Sequence, residues 1–220
     1  MPLMLLALDN TLLDREAAFR AWGAKFLDEI GAPPGDLEWL VSIDADGLTS
    51  RWDLADSMLN RYHLRASAVD LVDELDLGLM ENTRLDPLVA CALRIADDAG
   101  WMPVVVSNGP AYRQETIIRR TGLDRYVADW VISEAAGVSK PNPRIFTLAA
   151  ERVRMHLEDA WIVGDSPEAD IGAAAAMGLP SVWLHRGRRW MESRFEPTTS
   201  AGSLIQGLSA VLAGGRVVHG

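Results

Sequence analysis

The 220-residue chain has one cysteine and four histidines, and this scarcity excludes several kinds of site. A single thiol, Cys91, cannot form an intrachain disulfide or a cysteine-rich zinc site. Cys91 lies on an apolar face of a predicted helix, which predicts a small core residue. The histidines have no metal-ligand spacing, so we expect none of them to be catalytic. They are His63, His156, His185 and His219.

Positive charge and long apolar runs are also scarce. The sequence has 21 Lys and Arg against 31 Asp and Glu, a net charge of −10. A broad nucleic-acid interface needs a cationic surface, so we expect no nucleic-acid partner. The apolar run at residues 3–8 is too short to span a bilayer, and no basic segment precedes it as in a signal peptide. We therefore predict a cytoplasmic protein with no membrane partner.

The apolar pattern divides the sequence into two kinds of region. Residues 3–8 are continuously apolar, which is typical of a buried parallel strand. Residues 15–84 have helical spacing and helix-capping residues, with no convincing strand. From residue 85, predicted helices alternate with strands at 101–106, 130–133, 161–163 and 181–184, and residues 186–201 look like a surface loop.

This alternation predicts an α/β fold. Residues 1–14 and 85–220 would form a Rossmann-like core, a parallel sheet with helices on both faces, and residues 15–84 an inserted all-helical domain. Ligands of such folds bind beyond the carboxyl ends of the strands. Four polar segments lie at these ends or in the adjacent loops, namely Asp9-Asn10-Thr11, Ser107-Asn108-Gly109, Lys140-Pro141 and Gly164-Asp165-Ser166.

In order and spacing, these segments resemble the four motifs of the haloacid dehalogenase (HAD) superfamily. The family's first motif, Asp-x-Asp-x-Thr, stands here as Ala7-Leu8-Asp9-Asn10-Thr11, and its fourth, Gly-Asp-Ser with a later acid, as Gly164-Asp165-Ser166 followed by Asp170. Each motif alone is a weak signal, but four in order across the whole chain are a strong one. The resemblance also implies that the strand at 3–8 lies between those at 101–106 and 161–163.

For a phosphatase of this family, the resemblance implies a role for each matching residue. Asp9 would be the general acid and base and would lend its backbone carbonyl to Mg²⁺, with Asp165 and Asp170 as carboxylate ligands. Ser107 would bind the phosphoryl group, and Lys140 would neutralise its charge. Thr11, Asn108 and Gly109 would complete the substrate site.

The helical insertion resembles the family's C1 cap, which closes over the site and selects the leaving group. A large cap usually accompanies a small substrate, so the expected partner is a small phosphorylated metabolite. Arg15 and Arg51 have the chemistry to contact it, although both could equally be exposed surface residues and Asp46-Gly47 merely a turn. Monomer and homodimer both remain open.

The nucleophile position is the one departure from the family pattern, because Ala7 cannot attack phosphorus. Either an aspartate was replaced to trap a complex, or the chain is a natural pseudoenzyme that binds phosphorylated ligands without turnover. The otherwise intact apparatus favours the first explanation. A 2-haloacid dehalogenase is the less favoured enzyme, because those members usually lack the Gly-Asp of the fourth motif, present here as Gly164-Asp165.

Overall fold

The structure, a computed structural model, describes residues 1–33 and 35–214. Residue 34 and residues 215–220, including His219 and the end of the predicted core, lie outside the described residues. The chain divides into two compact units: the core unit, Met1–Leu13 with Leu85–Gly220, and the helical unit, Asp14–Arg84. Within the described part, no helix is both long and apolar enough to cross a membrane.

The helical unit contains no strand among its described residues. Its helices are α1 (Arg15–Glu29), α2 (Asp36–Asp44), α3 (Arg51–Tyr62) and α4 (Ala68–Asn82), with a 3-10 turn at Ala45–Gly47. Local sequence starts them: the Asp14, Ser50 and Ser67 side chains accept hydrogen bonds from the first turns of α1, α3 and α4. The helices bury a common apolar cluster that includes Phe19 and Leu40.

The core unit is a six-stranded sheet in which every neighbouring pair is parallel. Its strands are β1 (Leu3–Leu6), β2 (Met102–Ser107), β3 (Asp129–Ile132), β4 (Trp161–Gly164), β5 (Ser181–Leu184) and β6 (Thr199–Ala201). The order is β3-β2-β1-β4-β5-β6, so the predicted central place of β1 between β2 and β4 is confirmed. The predicted α/β class, a parallel sheet with helices on both faces, is also confirmed.

Helices connect these strands and cover the sheet. They are α5 (Pro87–Asp98), α6 (Ala111–Thr121), α7 (Ser133–Ala136), α8 (Pro143–Arg152), α9 (Ala173–Met177) and α10 (Leu204–Gly214), with a π-helical segment at Pro167–Gly172. All four residues of β1 are completely buried, which explains its unbroken apolar sequence.

Two expectations for the core are wrong. The segment 186–201 is not only a loop, because Thr199–Ala201 pairs with β5 as β6. Cys91 is exposed, because α5 turns Ala92, Leu93 and Ala96 inward instead. The apolar residues of α5 extend around more of the helix than the buried stripe, so periodicity alone did not identify the buried side.

Candidate active site

The first motif lies directly beyond β1, where the chain makes a tight turn. The backbone N–H of Ala7 donates to the Val163 carbonyl at 2.9 Å, which extends the sheet by one residue. The chain then folds back, and the Asn10 N–H donates to the Leu13 carbonyl at 2.7 Å. Asn10 has a φ of 58°, a left-handed conformation that asparagine tolerates better than most residues. Ala7 is buried and Asp9 is half-buried.

Gln114 of α6 connects the first motif with the second. Its Nε2 donates to Asp9 Oδ2 at 2.7 Å and to Ser107 Oγ at 3.1 Å, and it lies 3.2 Å from the Asn108 carbonyl oxygen. Sequence reasoning missed this residue. A signal was present, because Gln114 is the polar member of the buried stripe that continues with Ile117 and Ile118.

Asn108 connects the second motif with the third. Its Nδ2 donates to the Lys140 carbonyl at 3.0 Å, and its Oδ1 accepts from the Lys140 N–H at 2.8 Å. The side chain therefore holds the Lys140 backbone from both sides. In this arrangement Asn108 positions the lysine, whereas the sequence predicted a substrate contact for it.

Lys140 connects the third motif with the fourth. Its Nζ donates to Asp170 Oδ1 at 2.7 Å, and both side chains are buried. The Ser166 N–H donates to the other carboxylate oxygen of Asp170 at 3.0 Å. A Cβ at Gly164 would lie 2.1 Å from Asp170 Oδ2, so the glycine of this motif makes room for the carboxylate.

Asp165 lies beside a guanidinium that the sequence did not identify as part of the site. Arg188 Nη2 donates to the Asp165 carbonyl at 2.6 Å and to its Oδ2 at 3.1 Å, and Trp183 Nε1 donates to the same carbonyl at 3.0 Å. Burial, together with the nearby charge of Asp170, raises the pKa of the Asp165 carboxyl to about 6, although Arg188 opposes this shift. The position of Arg188 could have indicated its role, because Arg188 follows β5 at the same edge of the sheet as the motifs.

Direct contacts thus join most of the residues predicted for the core site. Asp9, Ser107, Asn108, Lys140 and Asp170 form one continuous chain of contacts through Gln114. Elsewhere in this site, Thr11 Oγ1 is buried without a hydrogen-bond partner, and the Gly109 N–H donates to Ser133 Oγ at 2.9 Å.

Arg15 and Arg51 belong to the helical unit and take part in an ion-pair cluster there. Arg15 makes two hydrogen bonds to the Asp44 carboxylate, at 2.6 and 2.7 Å. Arg51 contacts Asp44 and Asp76, both at 3.3 Å. Because both arginine side chains are largely buried, the alternative that they are exposed surface residues is wrong. Their role in substrate binding stays a prediction.

The donor atoms of the fourth motif fit a hard cation. Among residues 1–33 and 35–214, no group of three or more His, Cys, Asp or Glu is arranged to hold a metal ion. Asp165 and Asp170 are nevertheless close enough for the charge of one to raise the pKa of the other. Mg²⁺ is commonly held by one or two carboxylates, with water and substrate phosphate as the remaining ligands. The two carboxylates match that mode of binding in the type of their donor atoms.

Comparison with known proteins relates the chain to hydrolases. The family of haloacid dehalogenase-like hydrolases matches residues 8–178. A glyceraldehyde 3-phosphate phosphatase of Methanopyrus kandleri is 37% identical over 91 residues, 41% of this chain and 39% of that protein. A phosphoglycolate phosphatase of Xanthomonas campestris pv. campestris is 28% identical over 186 residues, 83% of this chain and 84% of that protein. The chain spans only 39% to 48% of the length of three curated relatives at 30% to 37% identity.

Solved structures share the fold. A structure of the HAD-hydrolase YfnB of Bacillus subtilis bound to magnesium matches with a TM-score of 0.77 and 22% identity, over 96% of this chain and 98% of that one. A 2-haloacid dehalogenase of Pseudomonas syringae matches with a TM-score of 0.59 and 28% identity, over 97% and 98%. Since the family match spans most of its length, the chain belongs to the haloacid dehalogenase-like hydrolases.

Proposed function

We propose that this chain carries the site of a phosphohydrolase that acts on small phosphomonoesters, and that Ala7 leaves the site without its nucleophile. The observation that carries the proposal is the chain of contacts from Asp9 through Gln114, Asn108 and Lys140 to Asp170. These contacts join the proposed acid/base, the proposed phosphoryl-binding cation and a carboxylate. Phosphatases among the relatives support this reaction class.

In an Ala7→Asp protein, these groups would perform a two-step transfer. First, the carboxylate at position 7 attacks phosphorus, the bond from phosphorus to the alcohol oxygen breaks, and protonated Asp9 gives its proton to that oxygen. Next, Asp9 takes a proton from water, the resulting hydroxide attacks phosphorus, and inorganic phosphate leaves with position 7 restored as a carboxylate. Asp9 is protonated again at the end, so the cycle closes.

The remaining residues would hold the phosphoryl group and its charge. Ser107 would donate a hydrogen bond to a phosphoryl oxygen, and Lys140 would place its ammonium beside the developing charge. Mg²⁺, held by Asp165, Asp170 and the Asp9 carbonyl, would supply further neutralisation of the phosphoryl oxygens. The helical unit would serve as the C1 cap, with Arg15 and Arg51 contributing to substrate selection.

Two observations weigh against the alternatives. The Gly164-Asp165 pair and Asp170 provide carboxylates for a cation, a feature that the dehalogenase reaction has no use for. Lys140 and Asp170 form a buried ion pair in this chain, although position 7 has no nucleophile. A natural phospholigand-binding protein remains the second candidate, because Ala7 removes a negative charge that would repel bound phosphate.

Hydrolysis by three matched proteins tests the proposal. The Ala7 chain, Ala7→Asp and the isosteric control Ala7→Asn would be assayed with Mg²⁺ on an aryl phosphate, on a panel of phosphorylated metabolites and on a 2-haloacid. We expect Ala7→Asp to exceed the other two by about 10⁴-fold or more on phosphate esters, since loss of a nucleophile typically costs that much. A folded Ala7→Asp protein that is inert on every ester, yet binds phosphate, would favour the binding protein.

A further inference from the structure

Gln114 is a buried polar residue that none of the four motifs includes. Its side chain is fully buried, and its closest polar contact is the 2.7 Å hydrogen bond from Nε2 to Asp9 Oδ2. An amide nitrogen carries two protons, and the second is shared between Ser107 Oγ and the Asn108 carbonyl. We propose that Gln114 is a positioning residue that aims the Asp9 carboxyl at the leaving-group oxygen. This inference rests on the proposed function in one respect, the acid/base role of Asp9.

Packing does not explain an amide at this position. The Gln114 Oε1 atom is buried and has no hydrogen-bond partner, which costs free energy. Methionine would fill nearly the same volume without a buried unpaired acceptor. Within the side-chain amide, only the nitrogen, which donates to Asp9 and Ser107, makes hydrogen bonds, so the reason for an amide at this position lies on its donor side.

The second motif provides the space for this amide. Gly109 has a φ of 140°, and a Cβ there would lie 3.1 Å from Gln114 Nε2. That separation is tighter than an ordinary van der Waals contact, so a Cβ at position 109 would require the Gln114 amide to shift by a few tenths of an ångström. The glycine at position 109 thus leaves the space that the Gln114 amide occupies.

A hydrogen-bond partner matters for Asp9 because the residue is only partly enclosed by its surroundings. Asp9 lies in a tight turn beyond β1 and is half-buried, so water reaches part of it. A misplacement of about 1 Å in a reacting group can reduce a rate by about 10²-fold. A short hydrogen bond from a fully buried side chain fixes the carboxyl without bringing a second charge close to the phosphoryl site.

The test compares two kinds of ester in the Ala7→Asp background. An alkyl phosphate needs a proton on its leaving oxygen, whereas 2,4-dinitrophenyl phosphate has a leaving group that departs without one. We expect Gln114→Met to lower kcat/KM by about 10²-fold on the alkyl ester and by less than about 5-fold on the activated ester. Gln114→Asn keeps an amide, so its kcat/KM on the alkyl ester should lie between those of Ala7→Asp and the Gln114→Met variant. Thr121→Val, on the same helix, should change kcat/KM on neither ester.

An equal loss on both esters would overturn the proposal, because it would assign Gln114 to phosphoryl binding through Ser107. A second measurement does not depend on activity: crystal structures of the Ala7 chain with and without Gln114→Met. We expect Asp9 Oδ2 to move by more than about 1 Å, and an unmoved carboxyl would also overturn the proposal. If Ala7→Asp is inert, the proposed function fails, and the crystal comparison still decides whether Gln114 positions Asp9. Gln114→Asn serves the same comparison if the methionine variant does not fold.

Discussion

The buried ion pair between Lys140 and Asp170 allows a prediction of defined size. The Nζ–Oδ1 distance is 2.7 Å, and the two side chains are only 7% and 2% exposed. Lys140→Met would leave Asp170 with the Ser166 N–H as its remaining described hydrogen-bond donor. Removal of one partner from a buried ion pair typically costs about 3–5 kcal/mol, because the other charge stays buried and uncompensated. We expect a loss of that size in the free energy of unfolding of the core unit.

Removal of both charges should cost much less. In Lys140→Met/Asp170→Asn neither charge of the pair remains, and the asparagine oxygen can still accept from the Ser166 N–H. Replacement of a whole buried pair is often nearly neutral, so we expect the double variant within about 2 kcal/mol of the parent. The two substitutions should therefore be far from additive, because each one alone leaves an unpaired buried charge and the double variant leaves neither.

Native-state hydrogen exchange of the β1 and β4 amides, in the absence of divalent cations, measures the stability of the core unit separately from that of the helical unit. Lys25→Met is the matched control, since Lys25 is the only other lysine and makes an exposed pair with Glu29 at 3.6 Å. It should change stability by less than about 0.5 kcal/mol. A Lys140→Met protein as stable as the parent, or a double variant as unstable as the single one, would refute the reasoning.

Three further predictions concern charge and space. The pKa of Asp165 is raised to about 6, so its ionisation costs nothing below about pH 4 and has its full cost above pH 6. Asp165→Asn should therefore stabilise the cation-free protein at pH 7.5 by about 1–3 kcal/mol, and urea titrations should show no gain at pH 4. Gly164→Ala would bring a Cβ within 2.1 Å of Asp170 Oδ2 and should lower the free energy of unfolding by about 1–3 kcal/mol or more; unchanged thermal unfolding would contradict the local geometry. In the helical unit, Asp44→Ala would leave Arg15 without its two hydrogen bonds to that carboxylate. The opening free energy measured by amide hydrogen exchange in α1 should then fall by about 3–5 kcal/mol.

Much of the fold could be predicted from the sequence, because buried parallel strands have a local signature. Each of the strands β1 to β5 has mainly apolar residues, and turn residues or polar motifs follow. Strand β6, with the sequence Thr-Ser-Ala, has no such signature and was missed. It is recognisable as a strand only because β5 offers it an open edge for pairing.

The sequence by itself determined the polar and charged groups that the four motifs contribute to the site. Polar residues lie at the end of β2 and directly after β4, and Asp9 follows the apolar run at residues 3–8 that contains β1. Parallel strands bring their carboxyl ends to one edge of the sheet, so Asp9, Ser107 and Asp165 could be assigned to that edge in advance. The absence of a nucleophile at Ala7 was equally visible, since it depends on residue identity alone.

Only the tertiary structure decided which of these groups contact one another. Gln114 and Asp9 are 105 residues apart in the sequence, Lys140 and Asp170 are 30 apart, and no local pattern encodes either contact. Arg188 likewise reaches Asp165 because β5 lies next to β4 in the sheet. The physical reason is that a buried charge or amide must find a partner, and the packing of the whole sheet and its helices determines which partner lies within reach.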